Sequence, residues 1–130
     1  RNFREQSYGY FEGNDSTQTW LMVGASHECR SYQEMITKYS IDDSRDFMKE
    51  TDPFHDAENN TQYWKRVDAG FEYLKEHQEN NSTALVVSHG TTIRSIVKRF
   101  APEIDVVSQG PKNGSVTKLI VSENNIDVAY

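Results

Sequence analysis

His89 is placed for chemistry because it separates an apolar run from an amphipathic helix. Ala84–Val87 is continuous and rich in β-branched residues, which predicts a strand buried on both faces. After it, apolar residues recur at i, i+3, i+4 and i+7, which predicts a helix; they are Ile93, Ile96, Val97 and Phe100. The sequence therefore predicts a strand, a polar elbow at Ser88–Gly90 and a helix.

An elbow of this kind is suited to binding an anion. Gly90 allows a sharp turn, and Thr91 or Thr92 can cap the helix. The free N–H groups and the positive dipole end of the helix would then lie at the carboxyl end of the strand, where open α/β sheets bind ligands. The alternative is that His89 only caps or packs, as in many turns without chemistry.

The elements that would position this elbow follow from the rest of the chain. Residues 1–13 predict an ordered loop in which Gly9 and Gly13 mark turns. Within that loop, Glu5 is flanked by Arg1 and Arg4, which on local grounds favours an ion-paired surface group.

Signals for regular structure are weaker from Asn14 to Glu50. Ser31 followed by Glu34 resembles a capping box and predicts a helix through about Lys38. A short helix is expected over 44–49, ending before Pro53. Three methionines are expected to fill a small core; they are Met22, Met35 and Met48.

Asp56–Gln78 contains the longest predicted helix, with Glu58 near its positive end and His77 exposed near its negative end. Val116–Val121 predicts a strand, and a turn at Asn124 and Asn125 leads into a second strand over 126–130. We expect one domain over residues 1–130.

Composition limits the class of protein. A net charge of −6 argues against nucleic-acid binding, although basic residues after His89 could serve a phosphorylated ligand; they are Arg94, Lys98 and Arg99. No apolar run approaches the length of a membrane span, and no signal peptide is evident. A single cysteine, Cys29, precludes an internal disulfide and favours a cytoplasmic location. The chain begins at Arg1, so we expect a processed or partial product.

Three separated blocks of the sequence resemble the histidine phosphatase superfamily, which includes cofactor-dependent phosphoglycerate mutase. They are Phe3–Glu5 with the aromatic-Gly and Glu-Gly steps of Tyr8–Gly13, then Leu85–Arg94, and finally Pro111–Thr117. Their order and spacing make the resemblance specific, whereas residues 14–57 match only in general character as a lid or crossover region. The resemblance implies an α/β fold, a three-layer α/β/α sandwich with a mostly parallel central sheet, incomplete at its amino terminus.

The resemblance also implies roles for individual residues. In this family a histidine attacks the phosphoryl group and forms a phosphohistidine. For this protein we expect a phosphohydrolase that needs no cofactor and no metal. Glu5 matches the carboxylate that protonates the leaving oxygen and later activates water. His89 matches the second catalytic histidine, and the backbone of Gly90 and Thr91 would bind phosphate. The implied ligand is a small phosphorylated substrate.

The nucleophile of the family lies in an Arg-His-Gly segment after the first strand, and no such segment occurs here. The four histidines stand in other contexts; they are His27, His55, His77 and His89. We therefore expect this chain to lack the segment with the first strand and the nucleophile, and to be inactive alone. Another chain or segment could supply that part, and unpaired strand edges would also favour a dimer.

Three functions remain open at this point. The first is a phosphomonoester hydrolase, which Glu12-Gly13 and the two threonines after Gly90 favour. The second is a phosphoglycerate mutase. The third is a non-catalytic phosphate-binding or interaction module, which the lack of an Arg-His-Gly segment would suit.

Overall fold

The computed structural model describes residues 1–129, whose regular secondary structure is mostly helical. The α-helices are α1 (Ser16–Gly24), α2 (Tyr32–Lys38), α3 (Ile41–Thr51), α4 (Asn60–His77) and α5 (Gly90–Phe100), with short 3₁₀ turns at Gly9–Phe11 and Ala25–His27. The strands β1 (Leu119–Val121) and β2 (Ile126–Val128) pair antiparallel. Within the described residues none of the helices is long and apolar enough to cross a membrane.

The chain divides into two compact units, and the boundary falls within α4. One unit contains Arg1–Glu5 and the chain from Trp64 onward, and the other contains Gln6–Tyr63. The prediction of a single domain stays a prediction.

In the unit Gln6–Tyr63, side-chain caps define where α1, α2 and α3 begin. Asp15, Ser31 and Ser40 each accept a hydrogen bond from a backbone N–H in the first turn of their helix. The core cluster of this unit consists of Phe11, Trp20, Val23, Cys29, Met35, Met48 and Ala57. Polar caps and buried apolar side chains thus together fix the three short helices.

Asp52 organises the loop that follows α3. Its fully buried carboxylate accepts hydrogen bonds from the N–H groups of Tyr10, Phe54, Asp56 and Ala57, at 2.8–3.2 Å. Burial alone would raise the pKa of this carboxyl, but the four N–H donors together outweigh burial and lower the pKa below its usual value. The ionised carboxylate is therefore the form that this loop requires.

In the other unit, residues 1–5 pack on α4. The ring of Phe3 meets the ring of Phe71 edge-on at 5.0 Å, and Phe71 meets Phe100 of α5 at 5.8 Å. A Cβ atom at Gly70 would lie 2.9 Å from the Phe3 ring, so the absence of a side chain there permits the close approach. Aromatic packing thus places Glu5 next to α4.

The apolar run Ala84–Val87 corrects the fold prediction. It is not a buried strand: Leu85 and Val87 are 87% and 85% exposed. No hydrogen bond joins these four residues to the rest of the described chain 1–129, which offers them no neighbouring strand. The three-layer sandwich with a mostly parallel sheet is therefore not present in the described residues, where the sheet has two antiparallel strands.

Helix predictions agree better with the structure. The helix after Ser31 ends at Lys38 as expected, and the helix predicted over 44–49 extends over Ile41–Thr51 and stops before Pro53. The hairpin turn at Asn124 and Asn125 is confirmed by the pairing of β1 with β2. Residue 130 of the predicted last strand lies outside the described residues.

Two local predictions are wrong. Met22 is 56% exposed and fills no core, whereas Met35 and Met48 are buried as expected. Glu58 lies two residues before α4 and accepts a hydrogen bond from the N–H of Ser7, a contact that the sequence did not predict. The strand predicted over 116–121 forms only at Leu119–Val121. The helix α1, which begins after the Asp15 cap, was not predicted.

Candidate active site

His89 stands at the N-cap position of α5, with extended backbone angles (φ −124°, ψ 161°) and no capping hydrogen bond from its side chain. This differs from the prediction that Thr91 or Thr92 caps the helix; both lie in its first turn. The first N–H groups of an α-helix have no partner within the helix, so they need one from elsewhere.

Glu5 supplies that partner from 86 residues away. Its Oε2 accepts a hydrogen bond from the Thr91 N–H at 3.1 Å, and its Oε1 accepts one from the Thr92 hydroxyl at 2.9 Å. A carboxylate at a helix N-terminus is favoured by the dipole as well as by these donors. The structure thus brings Glu5 to the start of the helix that His89 precedes.

The backbone around Glu5 is also held on several sides. The guanidinium of Arg66, on α4, donates to the carbonyl oxygens of Asn2 (2.7 Å), Arg4 (3.0 Å) and Glu5 (3.3 Å). From the elbow, the hydroxyl of Ser88 donates to the carbonyl oxygen of Phe3 at 2.6 Å. Residues 2–5 are therefore fixed by side chains from both α4 and the elbow.

His89 and Gly90 face open space beside this carboxylate. The His89 side chain is exposed, and a Cβ atom added at Gly90 would meet no described atom within 4 Å. Such a surface is accessible to a small anion. Because Glu5 occupies the Thr91 N–H, an anion could use that N–H only after Glu5 moves. Phosphate binding by Gly90 and Thr91, and catalysis by Glu5 and His89, stay predictions.

The basic residues after His89 are not equally available to an anion. Arg99 pairs with Asp68 at 2.7 Å and lies over the Trp64 ring at 4.4 Å. The guanidinium of Arg94 lies against Gly110, where it would clash with any added Cβ atom. The charge of Arg99 is therefore largely compensated by Asp68.

The other three histidines have structural contacts of their own. His27 stacks on Phe47 with ring centroids 3.6 Å apart, and His77 stacks on Tyr73 at 3.9 Å. A ring nitrogen of His55 lies 3.0 Å from the Lys49 carbonyl oxygen. These contacts explain the three side chains by local packing. Within residues 1–129 there is no group of three or more side chains suited to hold a metal ion.

Sequence reasoning did not identify Arg66, Ser88 or Thr92 as residues around Glu5. Their partners are backbone carbonyl oxygens and a carboxylate more than 60 residues away, and local periodicity contains no signal for such contacts. Only the proximity of Ser88 and Thr92 to His89 in the sequence could have suggested them.

Comparison with known proteins gives a consistent result. The sequence profile of the histidine phosphatase superfamily (branch 1) matches residues 1–129. The fold is similar to the crystal structure of phosphoglycerate mutase from Bacillus anthracis str. Sterne, with a TM-score of 0.82 and 27% sequence identity. That match covers 98% of this chain but 56% of the mutase chain, so this chain spans little more than half the length of that mutase. No curated protein sequence matches it.

Proposed function

The chain belongs to the histidine phosphatase superfamily, and from that premise we propose that it carries the acid–base carboxylate and the second catalytic histidine of a phosphomonoester hydrolase. The observation that carries the proposal is the Glu5 carboxylate held at the start of α5, directly after His89. The nucleophilic histidine is then supplied by polypeptide outside residues 1–130.

The proposed reaction has two steps. In the first, a ring nitrogen of the nucleophile bonds to phosphorus and the bond from phosphorus to the substrate oxygen breaks, while protonated Glu5 gives its proton to the leaving alcohol. In the second, ionised Glu5 takes a proton from water, whose oxygen bonds to phosphorus and displaces the histidine. Inorganic phosphate leaves and Glu5 is again protonated.

His89 and the backbone after it would stabilise the phosphoryl oxygens during both steps. The imidazole is exposed beside open space, and the N–H of Gly90 lies at the positive end of the α5 dipole. Donors fixed before the reaction stabilise developing charge without further reorganisation.

Phosphoglycerate mutase activity is the second candidate, and the fold similarity to the B. anthracis enzyme favours it. A mutase returns the phosphoryl group to a second oxygen of its substrate, whereas a hydrolase gives it to water. Incubating the complete protein with 3-phosphoglycerate distinguishes the two: release of inorganic phosphate supports the hydrolase, and formation of 2-phosphoglycerate supports the mutase.

A non-catalytic phosphate-binding module is the third candidate, favoured by the lack of an Arg-His-Gly segment among residues 1–130. Phosphate titration observed at the His89 ring, combined with no turnover by the complete natural polypeptide, would support this candidate.

The experiment that tests the main proposal compares the 130-residue chain with the longest natural polypeptide that contains it. We expect the longer polypeptide to hydrolyse p-nitrophenyl phosphate, and the chain of residues 1–130 to be inactive. In the longer polypeptide, His89→Ala should reduce kcat, whereas His77→Ala, at an exposed histidine on α4, should not. Hydrolysis by residues 1–130 that His89→Ala abolishes would refute the proposal.

A further inference from the structure

We propose that Thr92 is a positioning residue for Glu5. The Thr92 hydroxyl orients the Glu5 carboxylate and can exchange one acceptor for another as Glu5 gains or loses its proton. The inference rests on the proposed function for its catalytic meaning. The contacts that carry it lie within one compact unit, which contains residues 1–5 and α5.

The Thr92 hydroxyl lies within hydrogen-bond distance of two acceptors. Thr92 is fully buried, and its Oγ1 lies 2.9 Å from Glu5 Oε1 and 3.3 Å from the carbonyl oxygen of Arg4. A threonine hydroxyl has one proton to donate, so it serves one of these acceptors at a time. Because the carboxylate oxygen is the nearer acceptor, the Thr92 hydroxyl donates its hydrogen bond to Glu5 when Glu5 is ionised.

The backbone that carries Glu5 is held by hydrogen bonds from other parts of the unit. Arg66 and Ser88 together hold the carbonyl oxygens of residues 2–5. With the backbone fixed, the remaining freedom of Glu5 is in its side-chain torsions. Thr92 and the Thr91 N–H each hold one carboxylate oxygen, and so both restrict those torsions.

General acid–base catalysis requires the Glu5 carboxyl to change its protonation state. When Glu5 takes up a proton, the carboxyl becomes a weaker acceptor, and the Thr92 hydroxyl can turn to the Arg4 carbonyl oxygen. The buried hydroxyl therefore keeps a hydrogen bond in both states, which avoids the penalty for an unsatisfied buried donor. The new O–H of the protonated carboxyl can in turn donate to the Thr92 oxygen, so Glu5 exchanges its proton without losing this contact.

The test observes Glu5 directly in the 130-residue chain, without turnover. An amide proton that donates to a carboxylate shifts in the NMR spectrum when that carboxyl ionises, so the Thr91 amide reports on Glu5. The charged groups nearest in sequence or by contact are Arg4, Arg66 and His89. Glu5→Gln replaces the ionisable carboxyl by an amide. The part of the pH-dependent Thr91 amide shift that is lost in this variant is therefore caused by ionisation of Glu5.

We expect Thr92→Val, which keeps the shape and removes the hydroxyl, to reduce that shift to less than half. Thr92→Ser, which keeps the hydroxyl and removes the methyl group, should retain it. Thr19→Val, the same change at a buried threonine of the other unit, is the matched control and should have no effect. An unchanged shift in Thr92→Val would overturn the proposal. If the valine variant does not fold, loss of the shift in the folded serine variant would overturn it equally.

Kinetics of the complete protein separate this inference from the proposed function. In an active enzyme we expect Thr92→Val to move the acid limb of the pH–rate profile and Thr92→Ser to leave it in place. An inactive complete protein whose Thr91 shift depends on Thr92 would refute the proposed function and support the orientation of Glu5. If the complete protein is active, and Thr92→Val changes neither its pH–rate profile nor the pH-dependent shift of the Thr91 amide, the role of Thr92 is overturned and the proposed function is not.

Discussion

Asp52 and Glu5 are two carboxylates held by backbone N–H groups, but their surroundings differ. Asp52 is fully buried and accepts four such hydrogen bonds, so its lone pairs are committed to the loop around it. Glu5 is only partly buried, and its carboxylate accepts hydrogen bonds from the Thr91 N–H and the Thr92 hydroxyl. At the scale of the residue, Asp52 is suited to hold structure, whereas Glu5 is the carboxylate for which we propose acid–base catalysis.

The lowered pKa of Asp52 predicts how stability depends on pH. Because the folded pKa lies below the unfolded one, the contribution of Asp52 is fully present above about pH 4 and is lost as pH falls through the lowered folded pKa. Asp52→Asn should lower the free energy of unfolding at pH 7 by roughly 1–3 kcal/mol and flatten its pH dependence below about pH 4. Chemical denaturation measured across pH 2–7 checks this, with the exposed Asp56→Asn as control; equal curves for the two variants would contradict it.

At the scale of the element, α2, α5 and the hairpin were predictable from the sequence, whereas α1 was not, and the strand predicted over Ala84–Val87 does not form in the described residues. α2 and α5 depend on signals within a few residues, namely the Ser31 cap and the apolar spacing after Gly90. Whether the run Ala84–Val87 forms a strand depends on a partner elsewhere, and the described residues 1–129 offer none. Resemblance to the family was enough to name Glu5 and His89. The contacts of Arg66 and Thr92 with Glu5 join residues more than 60 positions apart, so only the structure reveals them.

Gly70 allows a prediction about how α4 positions the segment that carries Glu5. Alanine favours a helix over glycine by about 1 kcal/mol. The added Cβ atom, however, would lie 2.9 Å from both the Asn2 Cβ and the Phe3 ring, so we expect Gly70→Ala to lower the free energy of unfolding. Ala69→Gly, at the exposed neighbouring position, measures helix propensity alone in the same denaturation assay. Stabilisation by Gly70→Ala would show that the close packing of residues 2 and 3 is wrong.

At the scale of the whole molecule, the chain matches a mutase over 98% of its own length and 56% of the mutase's. It also exposes a four-residue apolar run without backbone hydrogen bonds in the part that the structure describes. An exposed apolar segment whose backbone groups are unpaired can pair with a strand, as the edge strands of sheets do. We therefore propose that polypeptide outside residues 1–130 pairs with Ala84–Val87.

Amide hydrogen exchange can test that pairing. In the isolated 130-residue chain we expect the amides of Ala84–Val87 to exchange rapidly, and in the longer natural polypeptide to be strongly protected. The amides of α5 serve as an internal control that should be protected in both. Protection of Ala84–Val87 in the isolated chain that increases with its concentration would instead indicate pairing between two copies. Rapid exchange in the longer polypeptide would contradict the proposal.

Pre-steady-state hydrolysis of p-nitrophenyl phosphate by the longer polypeptide carrying Glu5→Gln tests most directly whether Glu5 acts as acid and base on a phosphoryl group beside His89. Nitrophenolate is a good leaving group that needs little protonation, whereas attack by water on the phosphohistidine needs a base. The account predicts a burst of nitrophenolate stoichiometric with the enzyme, followed by slow turnover while the phosphohistidine persists. Steady turnover at the wild-type rate with no burst would contradict it.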